Sequence, residues 1–285
     1  MTNKLQFILQ HLPRSGSTWL SKLLTENFNA CVLPETNFIF YIMENSNFEY
    51  DELINIDNKF KDLNVDKSFF NDIKNKTDKF NLINKICDNA ASKIYGEKNI
   101  IIGLKKTNLK FSHYLMKNKN LKFICLIRDI RDIYLSIEQA NKIRKSFQTS
   151  LIKNIYEWNM QCIIFDHTDE RQTIKIRYED IILDKEKELY KLSNFLNLNK
   201  LGISKTFYLP KKYSKIHQNI NRDSIKINSK KYLNKLNFLK NFIVKIFCYH
   251  HLAKYNYINK NIFLSIINFP IYFIFKTICK IRNNN

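Results

Sequence analysis

Pro13-Arg14-Ser15-Gly16-Ser17-Thr18-Trp19 is the stretch whose reading decides the fold. It lies between a short apolar run, Gln6-Phe7-Ile8-Leu9-Gln10, and an amphipathic segment from Trp19 to Leu24. The pattern predicts a buried strand, a tight turn, and a helix over Ser17 to Phe28. Such a turn aims several backbone N–H groups and the positive end of a helix dipole at one point, which suits a phosphate or sulfate. Ser15, Ser17 and Thr18 add hydroxyl donors, and Arg14 adds a fixed charge. Gly16 permits the close backbone approach that any side chain would block. The competing reading is an ordinary strand-to-helix turn capped by Ser or Thr. A Walker-type loop would read G-x-x-x-x-G-K-[ST], and both its first Gly and its Lys-Ser/Thr ending are missing here.

Outward from the loop, Ala30-Cys31-Val32-Leu33 reads as a second buried strand ending at Pro34-Glu35. Residues 36–98 read as a helical insertion, for example Asp78 to Tyr95, where Phe80, Ile83, Ile86, Cys87 and Ala90 recur at helical spacing. Asn99 to Lys105 and Leu121 to Ile127 are near-continuous apolar runs, the pattern of parallel strands covered on both faces. Helices are expected from Ile133 to Arg144 and from Leu151 to Phe165. A fifth strand follows at Thr173 to Tyr178, then a helix capped by Asp184 and ending near Leu198. The fold class is α/β in three layers: a central, mostly parallel five-stranded sheet with helices on both faces. Ligands bind such sheets at the carboxyl ends of the strands. One domain is expected over residues 1–258, followed by an apolar and basic tail over 259–285.

A hydrophobic fraction of 45% supports a large core. The six cysteines are scattered without a C-x-x-C pair and fall in apolar runs, as expected of reduced thiols. The formal charge of +21 is carried by lysines spread along a chain rich in Lys, Asn and Ile. It is compatible with an anionic ligand and does not make nucleic acid an expected partner. The few residues before the first strand leave no room for a signal peptide, so a cytoplasmic location is expected. Ile262 to Phe275 is strongly apolar, is interrupted by Ser265, Asn268 and Pro270, and is followed by Lys276, Lys280 and Arg282. Two readings of this tail are weighed equally, a helix docked on the domain and peripheral attachment to the inner face of a membrane. A full span, which needs roughly 20 apolar residues, ranks below both.

The fourth strand runs into Arg128-Asp129-Ile130-Arg131-Asp132-Ile133-Tyr134-Leu135-Ser136. An Arg fork at the strand end and a hydroxyl about a turn into the next helix could clamp a second anionic group. Three ordered motifs on three strands now carry a resemblance. Residues 13–19 resemble the 5′-phosphosulfate loop of sulfotransferases that use 3′-phosphoadenosine 5′-phosphosulfate (PAPS), and Arg128 through Ser136 resembles their 3′-phosphate motif. Arg177-Tyr178-Glu179-Asp180 is similar to their third signature, whose Tyr lies near the adenine.

The resemblance implies a P-loop-like fold and PAPS as co-substrate; no metal is expected, since the sequence offers no acidic or His/Cys cluster as a site. It places Arg14, Ser15, Gly16, Ser17, Thr18, Trp19, Arg128, Ser136 and Tyr178 around the donor. Cytosolic small-molecule members carry a catalytic His in a Lys-Thr-His stretch. The matching residues here are Lys106-Thr107-Asn108, and Asn takes no proton. Glu35 matches the Glu that serves as base in the carbohydrate and tyrosylprotein branches, which this chain resembles most. In-line attack on sulfur demands such a carboxylate beside the acceptor hydroxyl. Glu35 is therefore the expected general base, Arg14 the stabiliser of the leaving group, and Lys106 the cation on the transferred group, with Lys105 and Lys110 competing for that role. The expected acceptor is a hydroxyl of a glycan or glycolipid, with a tyrosine peptide or a small molecule as alternatives.

His113 ranks second to Glu35 as base. His11 reads as a satisfied buried histidine and His250-His251 as packing. Residues 216–231 stand where the family has a loop closing over the nucleotide, with Arg222 and Lys230 as candidate phosphate contacts. The alternative functions are a kinase with a divergent phosphate loop and a non-catalytic basic membrane-associated protein.

Overall fold

β1 (Lys4–Gln10) runs through the middle of a five-stranded sheet and delivers the chain into the loop at residues 13–19. The computed structural model describes residues 4–45, 49–56, 59–74, 78–96, 101–106, 121–143, 150–200, 206–210 and 230–284. After the loop come α1 (Ser17–Asn27) and β2 (Ala30–Leu33). The insertion holds α2 (Phe38–Glu44), α3 (Tyr50–Ile56), a 3₁₀ turn at Phe60–Leu63, α4 (Lys67–Lys74) and α5 (Lys79–Tyr95). α5 starts where the Asp78 carboxylate accepts the N–H groups of Phe80 and Asn81, each at 3.0 Å. β3 (Ile101–Lys106), β4 (Lys122–Ile127), α6 (Ile130–Ile143), α7 (Leu151–Asp166) and β5 (Thr173–Arg177) follow. The chain then forms α8 (Tyr178–Leu183), α9 (Lys185–Leu196), the single turn α10 (Tyr232–Lys235), α11 (Phe238–Lys254) and α12 (Ile262–Asn284).

The strand order is β2-β3-β1-β4-β5, and all four pairings are parallel. Both faces of the sheet are covered, which is why its strands read as unbroken apolar runs rather than alternating ones. Phe7, Leu9, Val32, Ile124, Leu126 and Ile176 pack against α1 and α9. Ile8, Cys31, Leu33 and Phe123 face the insertion helices, while Cys125 and Ile127 meet α6, α7 and α11. Gly103 of β3 lies opposite Phe7, and a Cβ there would fall 2.0 Å from the Phe7 ring. The glycine thus lets the aromatic ring lie on the neighbouring strand.

The expected α/β architecture is present, with differences at particular places. α6 starts at Ile130, three residues before the expected Ile133, because the Asp129 carboxylate caps it by accepting the Arg131 N–H at 2.9 Å. Tyr178, read as strand, is the first residue of α8. The tail is one helix through Pro270, and Asn268, read as an interruption, is buried against α11. By length and composition alone, Ile262–Lys280 could cross a membrane. All six cysteines are buried, and no disulfide joins them among the described residues.

Candidate active site

The loop between β1 and α1 is shaped by two left-handed residues, Arg14 (φ 66°) and Gly16 (φ 99°), on either side of Ser15. Gly16 is the N-cap of α1, so no side chain caps the helix, and the reading of an ordinary Ser- or Thr-capped turn fails here. Nor does the first turn of α1 hold an acidic residue. The Ser15 hydroxyl is buried and makes no hydrogen bond among the described residues. Ser17 and Thr18 are buried beside it, and Trp19 is half-buried. A buried donor without an acceptor is costly, and an anion in the loop would relieve that cost.

Side chains from two other strand ends close on this loop. Ser136 of α6 accepts a hydrogen bond from Arg14 Nε at 3.1 Å. Arg128, at the end of β4, donates from Nη1 to the Arg14 carbonyl at 2.9 Å. The Arg128 guanidinium lies over the Tyr178 ring at 4.3 Å, and the Trp19 ring meets Tyr178 edge-on at 5.6 Å. A Cβ on Gly16 would fall 2.4 Å from Tyr178, so this glycine answers both the backbone angle and the ring. Burial, and then the charge of Arg128, hold the Arg14 pKa below its usual value. Two guanidinium groups that destabilise each other beside an unsatisfied hydroxyl form a site electrostatically matched to an anion of more than one charge.

The other half of the carboxyl edge lies at β2 and β3. Glu35 follows β2 by two residues, is partly buried, and pairs with Lys59 at 3.5 Å. Its charge also acts on His11 and Lys105. Lys105 is buried, and desolvation lowers its pKa to about 8 against the opposing pull of Glu35. Burial lowers the His11 pKa to about 4; its Nδ1 is 2.9 Å from the Leu12 carbonyl, while Nε2 is buried without a hydrogen bond among the described residues. The expectation of a satisfied histidine is therefore corrected. Lys106 ends β3 opposite Gln10. Its side chain lies outside the described residues, as do Thr107, Asn108, Lys110, His113 and Arg222. Lys105, the competitor of Lys106 for the role of cation, is buried within the field of the Glu35 charge.

Residues 8–201 match the protein family described as "Sulfotransferase family". The chain belongs to the sulfotransferase family. Among solved structures it is similar to the sulfotransferase domain of the Synechococcus PCC 7002 olefin synthase, at 14% identity and TM-score 0.50, over 87% of this chain and 96% of that one. It is also similar to the sulfotransferase domain from the curacin biosynthetic pathway (16% identity, TM-score 0.47, 76% of this chain and 79% of that one). A third similar structure is mouse sulfotransferase SULT7A1 complexed with PAP (12% identity, TM-score 0.47, 93% and 87%). No curated protein matches the sequence.

Behind the site of this sulfotransferase stands a buried polar network that the sequence reading missed. Arg131 binds the Asp129 carboxylate through Nε (2.9 Å) and Nη2 (2.6 Å), and donates to the Tyr257 carbonyl at 3.0 Å. Glu179 accepts the Asp129 N–H at 3.1 Å and the Tyr257 hydroxyl at 2.8 Å. Trp158 of α7 donates to the Arg128 carbonyl at 2.9 Å. Arg128 is thus fixed from behind while its guanidinium faces the loop. The Asp132 carboxylate accepts the N–H groups of Lys230 and Tyr232, at 2.6 and 3.1 Å, and so ties the start of α10 to α6. Lys230 meets the site through its backbone; the segment 211–229 lies outside the described residues. The only signal for the network was the crowding of Asp129, Arg131 and Asp132 at one strand end.

Asp166, His250 and His251 come together as well, with ligand-type atoms within 4.8 Å of one another. Asp166 already accepts Lys254 Nζ at 2.7 Å and the Tyr255 hydroxyl at 2.9 Å, and His250 stacks on Tyr272 at 3.9 Å. These partners tie α7, α11 and α12 together.

Proposed function

We propose that the chain transfers the sulfuryl group of PAPS to a hydroxyl of a glycan or glycolipid, with Glu35 as general base. The observation that carries this reading is the joining of Arg14, Ser136 and Arg128 around a loop whose Ser15 hydroxyl has no acceptor. Ser15 to Trp19 and Arg14 would hold the 5′-phosphosulfate, Arg128 and Ser136 the 3′-phosphate, and Tyr178 the adenine. PAPS supplies an activated sulfuryl group whose leaving phosphate gathers negative charge as the S–O bond breaks. Arg14 and the N–H groups at the start of α1 meet that charge. Glu35 takes the proton of the acceptor hydroxyl as its oxygen bonds to sulfur. Asn108, standing where cytosolic members have His, supports the assignment to a carboxylate. Lys105 and Lys106 are the two candidates for the cation on the transferred oxygens.

The test is thermal unfolding with the product nucleotide, 3′-phosphoadenosine 5′-phosphate. At about 100 times its Kd, binding to the folded state adds about 2.7 kcal/mol, a rise in Tm of about 5 to 10 °C for a chain of this size. No shift at saturation removes the reading.

A further inference from the structure

α12 is oriented against the usual rule for a surface helix. Its inward face is tied to the domain along most of its length: Asn268, 2% exposed, donates to the Ile246 carbonyl at 2.6 Å and accepts the His250 N–H at 3.1 Å. Tyr272 stacks on His250, Phe275 packs on Tyr156, and Cys279 is buried with Met160 and Ile163. Its outward face carries Phe263 (75% exposed), Ile266 (66%), Phe269 (70%) and Phe273 (62%), with Ile262, Ile267 and Ile274 beside them. Among the described residues nothing covers this stripe. A contiguous apolar face of this size marks an interaction surface.

Charge selects the occupant. Residues 224–285 contain eleven Lys and Arg and no Asp or Glu, and Lys260, Lys276 and Lys280 on or beside α12 are exposed. A second copy of the chain would bring two such basic surfaces together, whereas an anionic lipid surface complements both the charge and the apolar stripe. The docked face decides the orientation. To cross a bilayer, α12 would have to leave the partners of Asn268 and Tyr272 or draw α7 and α11, with Lys245 and Lys254, into hydrocarbon. We propose that α12 is an interfacial anchor that lies flat on an anionic membrane, outward face inserted, without crossing it.

Flotation of the full chain with phosphatidylcholine vesicles, with and without added phosphatidylglycerol, tests this. The chain should float with the anionic vesicles, with binding falling at least about tenfold as salt screens the lysines. Alkaline carbonate should release it. The triple variant Ile266→Ser, Phe269→Ser, Phe273→Ser should lose flotation while its urea midpoint and nucleotide-induced Tm shift stay unchanged, because these side chains are exposed. Failure of the wild type to float, with or without elution as a dimer, overturns the proposal. So does flotation that survives the triple substitution, or resistance to carbonate, which would indicate a span.

Discussion

Replacing Gly16 by Ala tests the loop geometry at its tightest point. The residue has φ 99°, and the added Cβ would lie 2.4 Å from Tyr178 Cδ2 and 2.5 Å from Cε2. Two costs arise. Holding Ala in the left-handed region costs about 1–2 kcal/mol, and overpacking a fixed ring adds about 1–3 kcal/mol. The ring cannot simply swing away, because Tyr178 is 5% exposed and lies against both Arg128 and Trp19. Gly16→Ala should therefore destabilise by roughly 2–5 kcal/mol. In a Tyr178→Ala background the clash vanishes and only the backbone cost remains, so the two substitutions should couple by roughly 1–3 kcal/mol. Equilibrium urea unfolding of the four proteins measures each term. If Gly16→Ala costs the same with and without the Tyr178 ring, to within about 0.5 kcal/mol, the contact does not exist and the reasoning fails.

Three further outcomes follow from the site. Glu35→Gln should reduce turnover by at least about a hundredfold while calorimetric affinity for the product nucleotide changes less than twofold; retained turnover would place the base elsewhere, with His113 next. Ser136→Ala should weaken nucleotide binding about three- to tenfold through loss of one hydrogen bond, and Arg14→Ala by more, since its bonds are charge-assisted; an Arg14→Ala protein of unchanged affinity would disprove the role of the loop. His11 refuses in the folded state a proton that the unfolded chain takes near pH 6.5, since burial lowers its pKa to about 4. Its contribution is thus intact above pH 6.5 and is lost as pH falls through 4, about 3 kcal/mol in all. Urea midpoints measured across that window should flatten in His11→Asn, and an unaltered slope would assign the acid sensitivity to other groups.

The strands and the meeting of Arg14, Arg128, Ser136 and Tyr178 were legible because they rest on local signals. β2 falls on Ala30–Leu33 as read, and α1 starts at Ser17, since apolar runs and a glycine mark both ends. What escaped the sequence depends on distant chain segments. Nothing in Arg177-Tyr178-Glu179 says that the strand stops at Arg177; Glu179 is drawn into α8 by hydrogen bonds to Asp129 and Tyr257, the latter 78 residues away. Pro270 and Asn268 are local breakers, yet α12 runs through both, with contacts to α11 and α7 along its inward face. Residue spacing leaves the choice between Lys105 and Lys106 open, because successive strand side chains point to opposite faces.

The strand order explains how two groups of side chains come to flank one loop. With β1 central, β4 and β5 on one side carry Arg128 and Tyr178 at their ends, and β3 and β2 on the other carry Lys105 and Glu35. Arg14 stands at the end of the strand between them. The energetics point the same way. α8 and α9 hold acidic residues in their first turns, the usual complement to a helix dipole, whereas α1 has none. Arg14 is partly buried beside Arg128, where burial and then that charge hold its pKa down, and Lys105 is buried with its ammonium form penalised. Each of these choices costs stability in the free protein, and each is relieved by the same event, the arrival of negative charge at the carboxyl edge of the sheet. Such a pattern belongs to a surface arranged for an anionic ligand rather than for the stability of the fold by itself, and it places Arg128 and Tyr178 on one side of Arg14 and Lys105 and Glu35 on the other.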